Sequence, residues 1–444
     1  MACTQDVHSA FFEMKEKDKK RRLKVLVSAY SFLPGYGSEP AVGWNFVNEL
    51  AKLNDVWVVT NYEGKHLIDE YGEIPGIKVH YYDMLGAIGE TWLGRKWMRA
   101  HYHLWQFAVI GTMRKLHKKV GFDICHHVTF VKYWAPTGIA WVNAPLLWGP
   151  VGGAEPMPRE FLKRAPLRAK IFEYMRFLCR QASHMDPFVR MAAKRAAVAI
   201  AVNNETKEAL KKLYPELRIE LMTQIGQSKK ELAAACPVEP ASEQSLHKAT
   251  CIFICVGNLI YWKGVHLALE AFSKMDRPDV ELWVVGHGEE KNRLLKLAKN
   301  AGISEKVRFM GQLSHAEAKK CIKQATCLVH TSLHDSGGFV LAEAMANSRP
   351  VICLRLAGPD IIVPENAGIK IVAGTEEDTI SGIAQAMIEV VKNPARAVEM
   401  GMNGRRHVEN DLLWSEKIKR INGLYRDVIR ENTLSRQQAE AGND

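Results

Sequence analysis

The sequence lacks the features that would place it in a membrane or outside the cell. Its 444 residues contain no uninterrupted apolar run of about 18–20 residues, the length that a membrane-spanning helix requires. The basic N-terminal lead, residues 1–23, has no apolar core of the kind found in secretory signals. The nine cysteines are scattered without paired spacing, which is typical of reduced cysteines in a core. We therefore expect a cytoplasmic protein.

Several sequence motifs that would indicate other classes of protein are also missing. No G-x-G-x-x-G fingerprint is present, so a nicotinamide-dependent oxidoreductase has no supporting motif. No Asp-x-Asp pair follows a predicted strand, so we expect no metal ion, and no cofactor is indicated. Zinc-ligand spacing and nucleic-acid-binding modules are missing, so we expect no nucleic-acid partner. The formal net charge of +11 suits phosphate-bearing ligands, nucleic acid and an anionic membrane alike.

Apolar runs alternate with helix-period segments along most of the chain, which predicts an α/β protein with parallel sheets. A single core stops growing at about 250–300 residues, so a chain of this length is expected to form two domains. The first series of predicted strands comprises residues 24–28, 56–60, 78–82, 124–129, 146–148 and 197–202. The second comprises residues 251–256, 281–285, 307–310, 327–331 and 351–354.

The break between the two series lies in a segment with two prolines and several small residues, which suits an inter-domain linker. We place an N-terminal Rossmann-like acceptor domain at 24–232, the linker at 233–249 and a C-terminal Rossmann-like donor domain at 250–411. Residues 412–444 form a predicted helix that returns to the N-terminal domain. Two such sheets side by side leave a cleft, and ligands bind beyond the carboxyl ends of parallel strands.

Two strand-end segments of the second domain carry the most informative residues. In VGNLIYWKG, Lys263 follows the strand 251–256 and can hold an anion above the strand ends, although a solvated lysine is the simpler interpretation. In SLHDSGGFVLAEAMANSRP, Asp335 precedes two adjacent glycines and a helix that carries Glu343. A glycine-rich turn into a helix N-terminus is suited to an anion. An acid that favours the helix dipole, with an exposed Glu, is the alternative.

Four other segments are weaker candidates. Gly358-Pro359 is predicted to turn the chain after the strand 351–354. Gly35–Ser38 lies in a glycine-rich loop after the first strand, before a helix. His126-His127 end a predicted strand, and GPVGGAEP occupies residues 149–156. Histidines of this kind are more often structural than catalytic.

Together, the order and spacing of these segments resemble the family-4 retaining glycosyltransferases of the GT-B fold. That family has a strand-end Gly-Arg-x4-Lys-Gly motif, then Glu-x7-Glu followed by Ala-Met-Ala, then a glycine-rich turn. The matching residues here are Gly257, Asn258, Lys263 and Gly264, then Asp335, Gly338, Glu343, Ala344, Met345 and Ala346, then Gly358-Pro359. The resemblance covers roughly residues 24–430 and is closer in the second half.

The resemblance implies roles for these residues. Lys263 would bind the diphosphate of a nucleoside-diphosphate sugar, Glu343 the ribose and Asp335 the sugar hydroxyls. A histidine after the fourth strand would lie beside the reacting sugar, and both His126 and His127 remain candidates because the usual His-x-His pattern is absent. The implied donor-binding set is Gly35, Tyr36, Gly37, Ser38, Asn258, Lys263, Asp335, Ser336, Gly337, Gly338, Phe339 and Glu343.

The expected activity is transfer of a hexosyl unit to an acceptor hydroxyl with retention of configuration, in cell-surface polysaccharide or glycolipid synthesis. Asn258 stands where the family has arginine, and loss of that bidentate cation weakens diphosphate binding unless another group compensates. A catalytically weak homologue that serves as a sugar-nucleotide-binding partner subunit is therefore the alternative.

The acceptor, a sugar or a lipid-linked molecule, is expected on the N-terminal domain. Residues 95–120 mix aromatic and basic side chains, which suits peripheral attachment to an anionic inner membrane face. An ordinary packed helix with a solvated basic face is the other interpretation.

Overall fold

The computed structural model describes residues 21–62, 64–84, 92–235 and 250–441. Most of the basic N-terminal lead and nearly all of the predicted linker lie outside these ranges. The described residues form two parallel sheets, which confirms the predicted α/β architecture with two Rossmann-like halves.

The first sheet has seven parallel strands in the order β3-β2-β1-β4-β5-β6-β7. They are β1 (Lys24–Ser28), β2 (Asp55–Asn61), β3 (Ile77–Tyr82), β4 (Ile124–His127), β5 (Leu146–Val151), β6 (Ala196–Ala201) and β7 (Ile219–Leu221). Alternate side chains of β1 enter separate cores, because successive residues of a strand point to opposite faces. Val25 and Val27 pack in one core, and Leu26 packs in the other.

Helices lie between these strands along the chain and after β7. They are α1 (Ser38–Ala51), α2 (Lys65–Asp69), α3 (Trp92–Ala108), α4 (Ile110–Val120), α5 (Arg159–Arg164), α6 (Leu167–Ser183), α7 (Pro187–Arg195), α8 (Asn204–Leu213) and α9 (Lys229–Ala234). The segment 95–120, for which a packed helix was one of two interpretations, is divided between α3 and α4 at Val109. Phe161 and Ala169, from α5 and α6, pack into the core of the second domain, where the Phe161 carbonyl accepts a 2.7 Å hydrogen bond from Tyr261 Oη.

The second sheet has six parallel strands in the order β10-β9-β8-β11-β12-β13. They are β8 (Cys251–Val256), β9 (Val280–Val285), β10 (Val307–Gly311), β11 (Cys327–His330), β12 (Val351–Leu354) and β13 (Gly368–Ile371). Its helices are α10 (Val265–Ser273), α11 (Lys291–Asn300), α12 (His315–Gln324), α13 (Phe339–Ala346), α14 (Ala357–Ile362), α15 (Glu376–Lys392) and α16 (Pro394–His407). Strands β7 and β13 lie at sheet edges and were not predicted. Gly358-Pro359, predicted as a turn, lie in the first turn of α14, so that prediction was wrong.

The last helix, α17 (Trp414–Ala441), leaves the second domain and packs on the first. One side of this helix is buried in the same core as Val25 of β1 and Phe46 of α1. The buried residues are Trp414, Ile418, Ile421 and Tyr425. Their spacing places one face of the helix against the N-terminal domain. No helix in the described ranges is long and apolar enough to cross a bilayer.

Candidate donor-binding site

Loops at the carboxyl ends of the two sheets meet in the cleft between the domains. A Cβ added to Gly152, after β5, would lie 3.4 Å from Ser336 Oγ, after β11. Glu205 of α8 accepts a 3.1 Å hydrogen bond from the Ala357 amide, after β12. The cleft therefore gathers residues from both domains, as expected at the strand ends of open α/β sheets.

Lys263 and Asp335 form an ion pair in this cleft. Lys263 ends a single 3-10 turn after β8, and Asp335 follows β11, the neighbouring strand. His330 Nε2 lies 3.3 Å from Asp335 Oδ2. Burial alone raises the pKa of Asp335, but the Lys263 ammonium and His330 outweigh it and hold this pKa well below its usual range. The carboxyl group is therefore an ionised acceptor at ordinary pH.

The loop that carries Asp335 is held in place by backbone contacts. The Gly337 amide donates to Asp335 Oδ1 at 3.2 Å, and the Gly358 amide donates to the Asp335 carbonyl at 2.9 Å. A Cβ on Gly358 would lie 2.7 Å from the Ser336 carbonyl, so only glycine allows this approach. Gly338, with φ of +128°, then turns the chain into α13.

The N-terminus of α13 opens at this loop without a side-chain cap. Gly338 occupies the cap position, so no hydroxyl or carboxylate of that residue covers the first amides. The uncapped amides and the helix dipole make the start of α13 suitable for an anionic group. Ser336–Phe339 thus lie where their backbone can contact a phosphate.

Glu343 is buried near the middle of α13 rather than exposed. Its Oε1 lies 2.6 Å from Nε2 of His315, the first residue of α12. The pattern of the sequence did not indicate His315, because 28 residues separate it from Glu343. One carboxylate oxygen is therefore held by an imidazole.

A second polar group in the cleft lies in a segment that the sequence indicated only as a weak candidate, without naming its acid. Glu155, inside the GPVGGAEP segment, is 1% exposed and accepts a 2.7 Å hydrogen bond from Asn203 Nδ2. Its Oε2 lies 4.0 Å from His334 Nε2, and neither Glu155 Oε2 nor either His334 nitrogen has a hydrogen-bond partner. Burial and Arg176 lower the pKa of His334, which keeps its ring neutral. Buried atoms of this kind are expected to bind a polar ligand.

The two candidate histidines lie in the core of the first domain. His126 has both ring nitrogens occupied, with Nδ1 2.5 Å from Tyr425 Oη and Nε2 2.5 Å from the Gly149 carbonyl oxygen. His127 Nδ1 lies 3.2 Å from Thr137 Oγ1, and its Nε2 lies 3.4 Å from Tyr102 Oη. Burial lowers the pKa of His126 to about 4 and of His127 to about 3. Neither ring is brought next to Lys263 or Asp335 by a described contact.

The remaining predicted donor-binding residues are more exposed. Gly35, Tyr36 and Gly37 form an exposed loop that leads into Ser38, the exposed first residue of α1. Among the described contacts, no hydrogen bond or ion pair joins this loop to the second domain. Asn258 is exposed at the end of β8, and its carbonyl accepts a 3.0 Å hydrogen bond from the Ile260 amide. The structure therefore brings Lys263 and Asp335 into contact beside Ser336–Phe339 and places Glu343 farther along α13, while no described contact joins them to the N-terminal loop.

Residues 239–407 match the family described as glycosyl transferases group 1. This match covers most of the second domain and less than half of the chain. The matched residues include Lys263, Asp335 and Glu343 of the cleft. The family match ends before α17 and does not extend into the first sheet.

The names of curated relatives of this chain refer to several biosynthetic pathways. The lipopolysaccharide core biosynthesis glycosyltransferase LpsE of Rhizobium meliloti is 29% identical over 154 residues, which cover 34% of this chain and 43% of LpsE. The N-acetyl-alpha-D-glucosaminyl L-malate synthase of Bacillus anthracis is 28% identical over 192 residues, covering 43% of this chain and 49% of that enzyme. The chain thus spans about half the length of these relatives.

Solved structures share the whole architecture. Sucrose-phosphate synthase from Thermosynechococcus elongatus aligns over 92% of this chain and 100% of its own, with a TM-score of 0.64 and 20% identity. Anabaena HepE in complex with UDP aligns over 90% of this chain and 99% of its own, with a TM-score of 0.59 and 14% identity. The fold of the present protein is therefore GT-B, as the resemblance implied.

Proposed function

We propose that this protein transfers a hexosyl unit from a nucleoside-diphosphate sugar to an acceptor hydroxyl, with retention of configuration and without a metal ion. The observation that carries the proposal is the convergence of Lys263, Asp335 and the uncapped start of α13 at adjoining strand ends. One cation and a helix N-terminus suit a diphosphate, and a nearby carboxylate suits sugar hydroxyls. The group 1 glycosyl transferase match and the UDP complex of HepE support a nucleotide-sugar donor.

In the proposed reaction, the bond between the anomeric carbon and the diphosphate oxygen breaks while the acceptor oxygen bonds to that carbon. Negative charge develops on the departing diphosphate oxygen, and the acceptor hydroxyl passes its proton to that oxygen. Lys263 and the α13 amides stabilise this charge, the role that a metal ion takes in other enzymes. In the described ranges, no group of three or more His, Cys, Asp or Glu side chains is arranged to hold a metal ion.

We assign Glu343, held by His315, to the donor ribose, and Asp335 to the donor sugar hydroxyls. The unpartnered atoms of Glu155 and His334 then suit further hydroxyls of the sugar or of the acceptor, on the side of the first domain. We keep cell-surface polysaccharide or glycolipid synthesis as the proposed setting, since the name of LpsE refers to lipopolysaccharide core biosynthesis.

The donor site is tested by a thermal-shift screen with UDP, GDP, ADP, dTDP and NAD on wild type, Lys263→Ala and Lys296→Ala. Lys296 is an exposed lysine of α11 and serves as the control for loss of one positive charge. A ligand at about 100 times its dissociation constant stabilises the protein by about 2.7 kcal/mol. We expect one nucleoside diphosphate to raise Tm for wild type and Lys296→Ala, but not for Lys263→Ala. A shift by NAD alone would refute the proposal.

Turnover separates an enzyme from a binding subunit. The nucleotide that raises Tm is supplied as its glucose, galactose, mannose and N-acetylglucosamine conjugates, and release of free nucleoside diphosphate is measured. Proton NMR of the transferred sugar then gives its anomeric configuration, which we expect to match that of the donor. Tight donor binding without any release in the presence of acceptor extracts would instead favour the partner-subunit alternative raised by Asn258.

A further inference from the structure

Helix α6 has its apolar side facing solvent. Leu167, Ile171, Tyr174, Met175 and Leu178 lie within one stripe at helical spacing, and each is between 41% and 73% exposed. Residues at positions i, i+4, i+7, i+8 and i+11 share one face of a helix. Amphipathic helices of soluble domains bury this face, so its exposure here marks an interaction surface.

The opposite face of α6 is polar and turned inward. Arg176 Nη1 donates to Glu173 Oε1 at 3.0 Å, and both side chains are no more than 10% exposed. Arg176 and Arg180 each donate to the Glu155 carbonyl oxygen, at 3.2 Å and 2.7 Å. These bonds fix the rotation of the helix, because turning the apolar stripe inward would leave both guanidinium groups without their buried acceptor.

The apolar surface continues beyond α6. Met185, between α6 and α7, is 84% exposed, and Phe188 of α7 is 37% exposed. The Phe188 ring lies 4.8 Å from that of Phe107 at the end of α3, which with Leu104 is also exposed. We call the exposed side chains of Leu167, Ile171, Tyr174, Met175, Leu178, Met185, Phe188, Leu104 and Phe107 the α6 surface.

The sequence around this surface is strongly basic. Residues 159–195 contain ten lysine and arginine residues and three aspartate and glutamate residues. Arg176 and Arg180 are turned inward, and the other eight basic side chains are exposed. Basic side chains around exposed apolar ones attract anionic lipid headgroups while the apolar groups enter the acyl boundary. A second copy of this chain would instead bring the same positive charge to a two-fold interface, where the charges repel.

We propose that the α6 surface docks this protein on an anionic lipid bilayer. The inner side of the same helix faces the cleft, since the Phe172 ring stacks on that of Trp262, the residue before Lys263, at 4.9 Å. A bilayer on the outer side of α6 therefore lies next to the mouth of the candidate site. Docking is a property of the surface and does not depend on the proposed transfer reaction.

The test is co-sedimentation with vesicles of phosphatidylcholine alone or with 30% phosphatidylglycerol, at low and high salt. The variants are wild type, Ile171→Glu/Leu178→Glu and the control Leu295→Glu, which alters an exposed leucine of α11 in the second domain. We expect wild type and Leu295→Glu to bind the anionic vesicles, less so at high salt, and the double variant to bind at least tenfold more weakly. Absence of wild-type binding at low salt, or equal binding by the double variant, would overturn the proposal.

A second measurement does not depend on how the double variant folds. Cys179 is exposed at the edge of the stripe, so a polarity-sensitive fluorophore attached to it in a Cys3→Ser/Cys236→Ser background reports the environment of α6. We expect a blue shift on anionic vesicles and none on neutral ones. Light scattering tests the rival occupant: a dimeric wild type that becomes monomeric in the double variant would identify the surface as a self-association interface and refute bilayer docking.

Discussion

The Lys263 ammonium pairs with the Asp335 carboxylate across the ends of the neighbouring strands β8 and β11, although 72 residues separate them in sequence. The pair neutralises the only lysine that the strand-end motif provides, so a donor diphosphate must compete with Asp335 for it. The two residues therefore have separable effects on binding and on turnover.

Replacement Asp335→Asn keeps the shape of the side chain and removes its charge. We expect nucleoside-diphosphate affinity to stay equal or to rise several-fold, because Lys263 is released, while turnover of the nucleotide sugar falls by about 100-fold or more. Calorimetric titration and a release assay measure the two quantities. The control Asp279→Asn breaks an exposed pair with Arg277 and should change neither. A parallel loss of affinity and turnover in Asp335→Asn would contradict this division of roles.

Replacement Gly358→Ala tests the backbone contact behind Asp335. Its Cβ would lie 2.7 Å from the Ser336 carbonyl and 2.9 Å from that of Asp335, so the loop must shift. We expect stability to fall by about 1–3 kcal/mol and turnover to fall at least tenfold. The matched control is Gly374→Ala, whose Cβ would meet nothing closer than 3.8 Å. Unchanged turnover in Gly358→Ala would show that the loop position is not needed.

Replacement Tyr425→Phe tests whether His126 is structural. It leaves His126 Nδ1 without its partner in the core and should destabilise the protein by about 1–3 kcal/mol, measured as a lower Tm. We expect the nucleotide-induced shift to keep its size, because no described contact links His126 to Lys263 or Asp335. Tyr71→Phe, at an exposed tyrosine, is the control. If a folded Tyr425→Phe variant showed no nucleotide-induced rise in Tm, His126 would have to be assigned to the donor site.

Acid should destabilise the protein through buried histidines, and His266 offers a clean test. Burial lowers its pKa from 6.5 to about 3, and its Nε2 has no hydrogen-bond partner. Below pH 6.5 the unfolded chain binds a proton at this residue that the native protein does not, so stability falls as pH falls toward 3. Each such group contributes about 1.4 kcal/mol per pH unit in this window.

We expect His266→Phe, which keeps the stacking on Tyr261 at 5.0 Å, to reduce the slope of unfolding free energy against pH by about one proton. Urea denaturation between about pH 4.5 and 6 measures it. Replacement of the exposed His184 by Phe controls for removal of an imidazole. An unchanged slope in His266→Phe would mean that the ring is already protonated or solvated in the native protein.

Local sequence pattern was enough to predict those residues of the candidate site that directly follow a single strand. Strands β8 and β12 have the predicted bounds, and Lys263, Asp335 and Glu343 follow from the motifs at the strand ends. These features depend on residues close in sequence, because the apolar period of the strand, the glycine-rich turn and the start of the helix all lie within one short segment. The short edge strand β7 was missed because three half-buried residues carry little pattern.

Tertiary structure alone decided the rest. Glu343 contacts His315, and Glu155 accepts a hydrogen bond from Asn203. Both contacts join distant segments that no spacing rule connects. The helical spacing of apolar residues in α6 predicts an apolar stripe. It does not predict whether that stripe faces the protein core or the solvent. In the structure the inward side of α6 carries Arg176 and Arg180, which donate to the Glu155 carbonyl, and Phe172, which stacks on Trp262, so the apolar stripe faces outward.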